Sequence, residues 1–198
     1  MKRTREDRFM LWIDAVGGFW VCTADQVTIG QPTRGDAVDI PILGDLSSKH
    51  ARIVRHGESY LIEPIRETSL RDRQLEKPEP LFDGAIIRLG DHLELLFRRP
   101  HPLSMTARLD ITSRHQTQPS SDAILLMADT CLLGPDANCH VGCPNWDKQV
   151  VLFRRENAMF CKAPGKLELD GKSASSPARI EIGAQASGPS FSFFLEQL

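Results

Sequence analysis

The chain has 198 residues with a formal charge of -2, and the charge is evenly spread: residues 1–100 hold 15 Lys+Arg against 16 Asp+Glu, leaving 9 against 10 beyond. Neither half carries the basic excess of a nucleic-acid-binding surface. The length suffices to bury one large β-rich core or two small ones, and no segment approaches the roughly 18 to 20 apolar residues of a membrane span.

The opening Met1-Lys2-Arg3-Thr4-Arg5 is basic and an apolar run starts at Phe9, the outline of a secretory leader. Asp14 stops that run after five residues, which fits an amphipathic first strand better. A soluble cytoplasmic protein is the expectation. Phe9–Ile13, Gly18–Thr23, Gln26–Ile29, His50–Arg55 and Ser59–Glu63 are short apolar or alternating runs bounded by Gly, Pro, Asp and Ser, the pattern of strands. Gly57-Glu58 supplies a hairpin turn. Ala85–Leu89 alternates again, Gly90-Asp91 turns, and Leu93–Phe97 closes the unit before Pro100 and Pro102. No stretch of residues 1–100 has a helical period, so an all-β sandwich is predicted. Thr106–Ile111 reads as a further strand, the first of a second unit, and the polar run Thr112–Asp122 as a long loop.

The second half repeats the order of the first. Ala24–Gln31 lines up with Ala128–Pro135, Lys49–Arg55 with Lys148–Arg154, Tyr60–Ile62 with Met159–Cys161, and Ile86–Gly90 with Arg179–Gly183. This predicts two tandem β-sandwiches, residues 1–100 and 101–198. Four of the five cysteines lie beyond residue 130, and an odd number argues against a disulfide framework. Cys139-His140-Val141-Gly142-Cys143, with Cys131, offers donors for a metal, but without the CxxC pairing of common zinc modules. The other reading places Cys22, Cys131 and Cys161 as small buried strand residues, with Cys139 and Cys143 in a loop.

Ile29-Gly30, Asp39-Ile40, Ser47-x-x-His50-Ala51, Tyr60–Pro64 and Asp83-Gly84 through Leu89-Gly90-Asp91 together resemble a forkhead-associated (FHA) domain over residues 9–98. Residues 105–196 then resemble a degenerate second copy, and the implied fold is a tandem pair of SMAD/FHA-like sandwiches. The resemblance implies a phosphothreonine-dependent protein-binding adaptor in serine/threonine kinase signalling. No carboxylate pair, nucleophile elbow or glycine-rich phosphate loop stands out, so no enzymatic activity is expected, and no cofactor, nucleic acid or membrane. The adaptor's partners would be a phosphothreonine-containing protein or peptide and a component of a kinase pathway. By position, Ser47 would donate its hydroxyl to the phosphate, while His50 and Gly30 would brace the recognition loop.

Gln31 stands where the family places an arginine, a residue whose planar fork makes two charge-assisted bonds to phosphate. Arg34 in the same loop is the candidate replacement, and Lys49 or Arg52 are further cations. Ser48, Thr68 and Ser69 complete the candidate peptide contacts. The family's usual asparagine is missing from Arg66–Arg73, where Arg66 or Arg71 could face the phosphate and Glu67 would repel it. In the second unit Pro135, Trp146 and Gln149 fall at the places of Gln31, Ser47 and His50, which removes the phosphate chemistry and makes Trp146 a core plug or an exposed anchor. The competing reading is a phosphate-independent assembly scaffold that keeps the fold after losing its arginine.

Overall fold

The computed structural model describes residues 7–33, 38–156 and 158–198, which form strands and turns with no α-helix. The first half contains β1 (Arg8–Ile13), β2 (Gly17–Cys22), β3 (Gln26–Gly30), β4 (Ile40–Leu43), β5 (Ala51–His56) and β6 (Ser59–Pro64). It continues with β7 (Thr68–Leu70), β8 (Arg73–Gln74), β9 (Glu79–Leu81), β10 (Ala85–Leu89) and β11 (Leu93–Arg98). The second half runs β12 (Ala107–Ile111), β13 (Gln116–Thr117), β14 (Ala123–Leu126), β15 (Thr130–Gly134), β16 (Val141–Gly142) and β17 (Val150–Arg155). It ends with β18 (Ala158–Lys162), β19 (Leu167–Leu169), β20 (Lys172–Ala174), β21 (Ala178–Ile180), β22 (Gln185–Gly188) and β23 (Phe191–Gln197). No helix among the described residues is long and apolar enough to cross a membrane.

One sheet of 12 strands, ordered β20-β19-β22-β23-β1-β2-β14-β12-β11-β10-β7-β8, joins the two halves. A six-stranded sheet, β13-β4-β3-β5-β6-β9, and a five-stranded sheet, β16-β15-β17-β18-β21, make the other layers. Side chains on a strand alternate between faces, and here the alternation sorts residues into two cores. Met10, Trp20, Cys22, Ile124 and Leu126 belong to one core, with Ile29, Ile53 and Ile62. Their neighbours Phe9, Leu11, Phe19, Val21, Ala123 and Leu125 belong to the other, with Leu133, Leu152 and Cys161. The two smaller sheets therefore cover opposite faces of the long one, which is buried on both sides at its middle. That is why Phe9–Ile13 and Ala123–Leu126 are continuous apolar runs rather than alternating ones.

The boundary expected at residue 100 falls between β11 and β12, which are paired neighbours from Leu95↔Ile111 to Arg98↔Arg108. The expectation that Thr106–Ile111 opens the second unit needs correction. Ala107 and Leu109 of β12 lie in the first core, and the strand beside β23 is β1, in register from Phe9↔Gln197 to Ile13↔Phe193. The predicted loop Thr112–Asp122 also holds β13, which extends the first sheet beside β4 through Gln116↔Leu43 and Thr117↔Ile42.

Connectivity is the same in the two smaller sheets, β4-β3-β5-β6-β9 and β16-β15-β17-β18-β21. So is the register: Arg55↔Tyr60 and Tyr60↔Leu81 in the first correspond to Arg154↔Met159 and Met159↔Ile180 in the second. The expected match of Ile86–Gly90 with Arg179–Gly183 is one strand out of step. Arg179 and Ile180 lie in β21, the edge partner of β18 as β9 is of β6, whereas β10 beside β11 has β22 beside β23 as its counterpart. Short alternating strands look alike, so apolar period alone does not fix which one is which. Both hairpins that end the long sheet turn on two residues with positive φ, Arg71 and Asp72 (51° and 64°) and Asp170 and Gly171 (49° and 75°), as tight hairpins require.

Candidate functional site

The site is built where β3 ends. A side chain on Gly30 would overlap the carbonyls of Ser47 and Ser48, because the recognition loop crosses directly over the glycine. The crossing is tied by the Gln31 amide, which donates to the Ser47 carbonyl at 3.1 Å, and by the His50 amide, which donates to the Ile29 carbonyl at 2.9 Å. His50 is 5% exposed. Its Nδ1 accepts from the Ser47 amide at 3.3 Å and its Nε2 lies 2.7 Å from the Glu67 carbonyl. A neutral ring protonated on Nε2 satisfies both bonds at once. The His50 carbonyl accepts from the amides of Ile65 and Arg66 at 3.1 and 2.8 Å, and the Glu67 carbonyl also takes the Gly90 amide at 3.0 Å. One buried histidine thus ties two loops together, and the Gly90 turn joins them through the shared Glu67 carbonyl.

Between these loops lies a cleft of about 360 Å³, with Ser47, His50, Arg66, Glu67, Asp45 and Asp91 on its walls. Ser47 is half-buried and Arg66 exposed. No ion pair involves Arg66 among the described residues, whereas Arg52 is held 3.1 Å from Glu63. Arg66 is therefore a cation available to an incoming anion, on the same cleft as a small hydroxyl.

The other predicted contacts divide. Gln31 and Lys49 are exposed and Ser48 is half-buried with its carbonyl over Gly30, but none of the three lines the cleft. Arg34 lies outside the described residues. Thr68 requires correction as a peptide contact: it is fully buried, and its hydroxyl donates inward to the Arg66 carbonyl at 2.9 Å, shaping the loop that carries Arg66. Ser69 sits on β7 opposite Arg88 and Gln74, off the cleft wall. The residues that sequence reasoning missed are Asp45 and Asp91. They sit in turns, and only the meeting of those turns under His50 makes them walls of one site.

The corresponding end of the second sandwich is closed. Trp146 is 5% exposed and packs at a tilt against Phe191, with ring centroids 5.5 Å apart, so it is the plug. The cleft beside it, between Lys148, Pro164, Pro189 and Ser190, is about 170 Å³. Gln149, at the place of His50, donates at 3.6 Å to the Cys139 sulfur in the loop after β15, whereas His50 reaches the loop before β7. All five cysteines are reduced and buried. Burial pushes the thiols of Cys22, Cys143 and Cys161 up to about 12 and that of Cys131 higher still. Among the described residues no three His, Cys, Asp or Glu side chains converge as metal ligands. His140 accepts from the Leu132 amide at 2.9 Å and is fully buried. Burial, and then the nearby His101, lower its pKa to about 4.

The FHA domain family matches residues 27–90. That stretch of the chain is recognised as an FHA domain. The matched span runs from β3 through Gly90 and so takes in the glycine crossing, Ser47, His50 and Arg66. Solved structures similar to the chain include EmbR of Mycobacterium tuberculosis in complex with a low-affinity phosphopeptide, at 29% identity over 46% of this chain with a TM-score of 0.35. The match spans 24% of that EmbR chain. An FHA domain studied for phosphothreonine-dependent interactions matches at 26% identity, covering 48% of this chain and 99% of its own, with a TM-score of 0.35. The FHA domain of CT664 from Chlamydia trachomatis matches at 26% identity over 42% of this chain and 89% of its own, with a TM-score of 0.30. No curated protein matches the sequence.

Proposed function

We propose that the chain is a non-enzymatic adaptor that reads phosphothreonine in a partner protein, in the cytoplasm and within serine/threonine kinase signalling, through the cleft of its FHA domain. The observation that carries this reading is that Ser47 and Arg66, which makes no ion pair among the described residues, share a cleft whose loops His50 holds in place. Ser47 Oγ donates to a phosphate oxygen and Arg66 adds charge-assisted bonds, each worth about 1.5–3 kcal/mol against about 1 for a neutral one. Gln31, Ser48 and Lys49 serve the flanking peptide, and Arg34 is a second candidate cation from the loop after β3. Residues 1–100 and 101–198 are two FHA-derived units of sequence, the second with its phosphate chemistry replaced by Trp146. Matching sheet connectivity and register support that division of the sequence.

A second reading, a phosphate-independent interaction scaffold, draws on the carboxylates. Asp45, Glu67 and Asp91 stand around the same cleft as the one arginine, and like charge repels phosphate. Binding of the full chain to a degenerate phosphothreonine peptide library, with the unphosphorylated library as control, separates the two. The reader hypothesis expects phospho-dependent binding that falls about tenfold or more in Arg66→Ala, with Arg34→Ala measured alongside. Equal binding to both libraries sinks it in favour of the scaffold.

A further inference from the structure

The opposite end of the second sandwich is open where that of the first is closed. In the first, Tyr60 fills the gap between the sheets. Its ring packs edge-on against Phe97 at 5.3 Å, and its hydroxyl donates to the Met105 carbonyl at 2.7 Å and accepts from Arg55 at 3.4 Å. The residue in the same register of the second sandwich is Met159, paired with Arg154 as Tyr60 is with Arg55, and with Ile180 as Tyr60 is with Leu81. The arginine anchors also correspond. The Arg55 amide donates to the Asp25 carbonyl at 2.7 Å and the Arg154 amide to the Asp129 carbonyl at 2.8 Å. With methionine in place of the phenol, a cleft of about 470 Å³ remains over Phe9, Met159, Ile180 and Ile182, with Arg154 and Thr23 on its wall.

We propose that this cleft binds a tyrosine side chain carried by a partner polypeptide, seated as Tyr60 is seated in the first sandwich. The apolar floor takes the ring. Arg154 donates one N–H to the Thr23 carbonyl at 3.0 Å, and a guanidinium with five N–H groups retains donors for a phenol oxygen. The Thr23 carbonyl keeps a second lone pair for the phenol proton. Among the described residues the charged groups on the wall balance, Arg154 and Arg179 against Asp7 and Glu181, which suits a neutral phenol rather than a phosphate or a carboxylate. The site is distinct from the phosphopeptide cleft and does not depend on it.

The test titrates N-acetyl-tyrosinamide into the full chain and follows the methyl resonances of Met159, Ile180 and Ile182. Saturable shifts at these methyls, unchanged in Ser47→Ala, are expected, with N-acetyl-phenylalaninamide at least about tenfold weaker for want of the bond from Arg154 and the bond to the Thr23 carbonyl. Met159→Tyr should fill the cleft from within, raising the melting temperature and abolishing the shifts. No saturable shift in the unmodified chain overturns the proposal whatever the variant does. Equal affinity for the two amides, or undiminished binding by a folded Met159→Tyr, overturns it as well.

Discussion

The two sandwiches share connectivity and register but leave opposite ends open. The first keeps a cleft of about 360 Å³ at the loop end, under His50, and seals its other end with Tyr60. The second plugs the loop end with Trp146, beside a cleft of about 170 Å³, and leaves about 470 Å³ open where Met159 replaces the phenol. One frame therefore carries different surfaces according to a few side chains at its ends, while the strands between keep their pairing. The lesson is that binding surface in this fold is set by which end an aromatic residue fills, Tyr60 in one unit and Trp146 in the other.

The largest expected effect breaks the frame itself. β1, β2 and β14 bury both faces, one in each core, so cutting the chain near residue 104 strips each core of strands that belong to the other piece. Neither 1–104 nor 105–198 should fold alone, and mixing or co-expressing the two should restore structure. Amide spectra of the separate fragments check this, and a dispersed spectrum from either would mean that the sandwiches are independent. Next in size is Trp146→Ala. Removing a buried tryptophan should cost about 3–5 kcal/mol in urea unfolding, whereas Ser47→Ala, at the corresponding place in the first sandwich, should stay within about 0.5 kcal/mol. Similar costs at the two positions would remove the contrast between a plugged end and an open one.

A third difference is chemical. His50 is braced by two hydrogen bonds, whereas His140 is fully buried and its pKa is lowered from 6.5 to about 4. A base whose folded pKa lies below its unfolded one contributes stability that is fully present above the unfolded value and lost as pH falls. Stability should therefore decline between pH 6.5 and about 4 by up to about 3 kcal/mol. Urea midpoints across that range should flatten in a folded His140→Gln variant, and an unchanged slope would move the acid sensitivity elsewhere.

Much of the first sandwich is legible in the sequence, since its strands alternate and its turns carry glycine. Gly30 and Ser47-x-x-His50 mark the loop crossing because only glycine fits beneath two carbonyls and a histidine can tie two loops. Three things were not legible, each for a physical reason. Ala123–Leu126 shows no alternation because both its faces are buried, so a period-2 search passes over it. The pairing of β1 with β23 joins residues far apart in the chain, and nothing local encodes it. Thr68 resembled a peptide contact because it is polar and in the right loop, yet the pleat turns its hydroxyl inward to the Arg66 carbonyl.

The smallest expected effect concerns the missing arginine. Gln31 is exposed and its amide is held by the Ser47 carbonyl, so a longer side chain there disturbs no packing. Gln31→Arg should leave stability within about 0.5 kcal/mol and strengthen phosphothreonine-peptide binding about tenfold, because a charge-assisted bond exceeds a neutral one by about 1.4 kcal/mol. Isothermal titration with a peptide selected from the phosphorylated library reads this directly. A gain would mean that the phosphate lies within reach of both position 31 and Arg66, so the cleft tolerates two cations against its three carboxylates. Unchanged affinity in a protein that still discriminates phosphate would mean that Arg66 and Ser47 hold it from the other wall, with position 31 no longer part of the site.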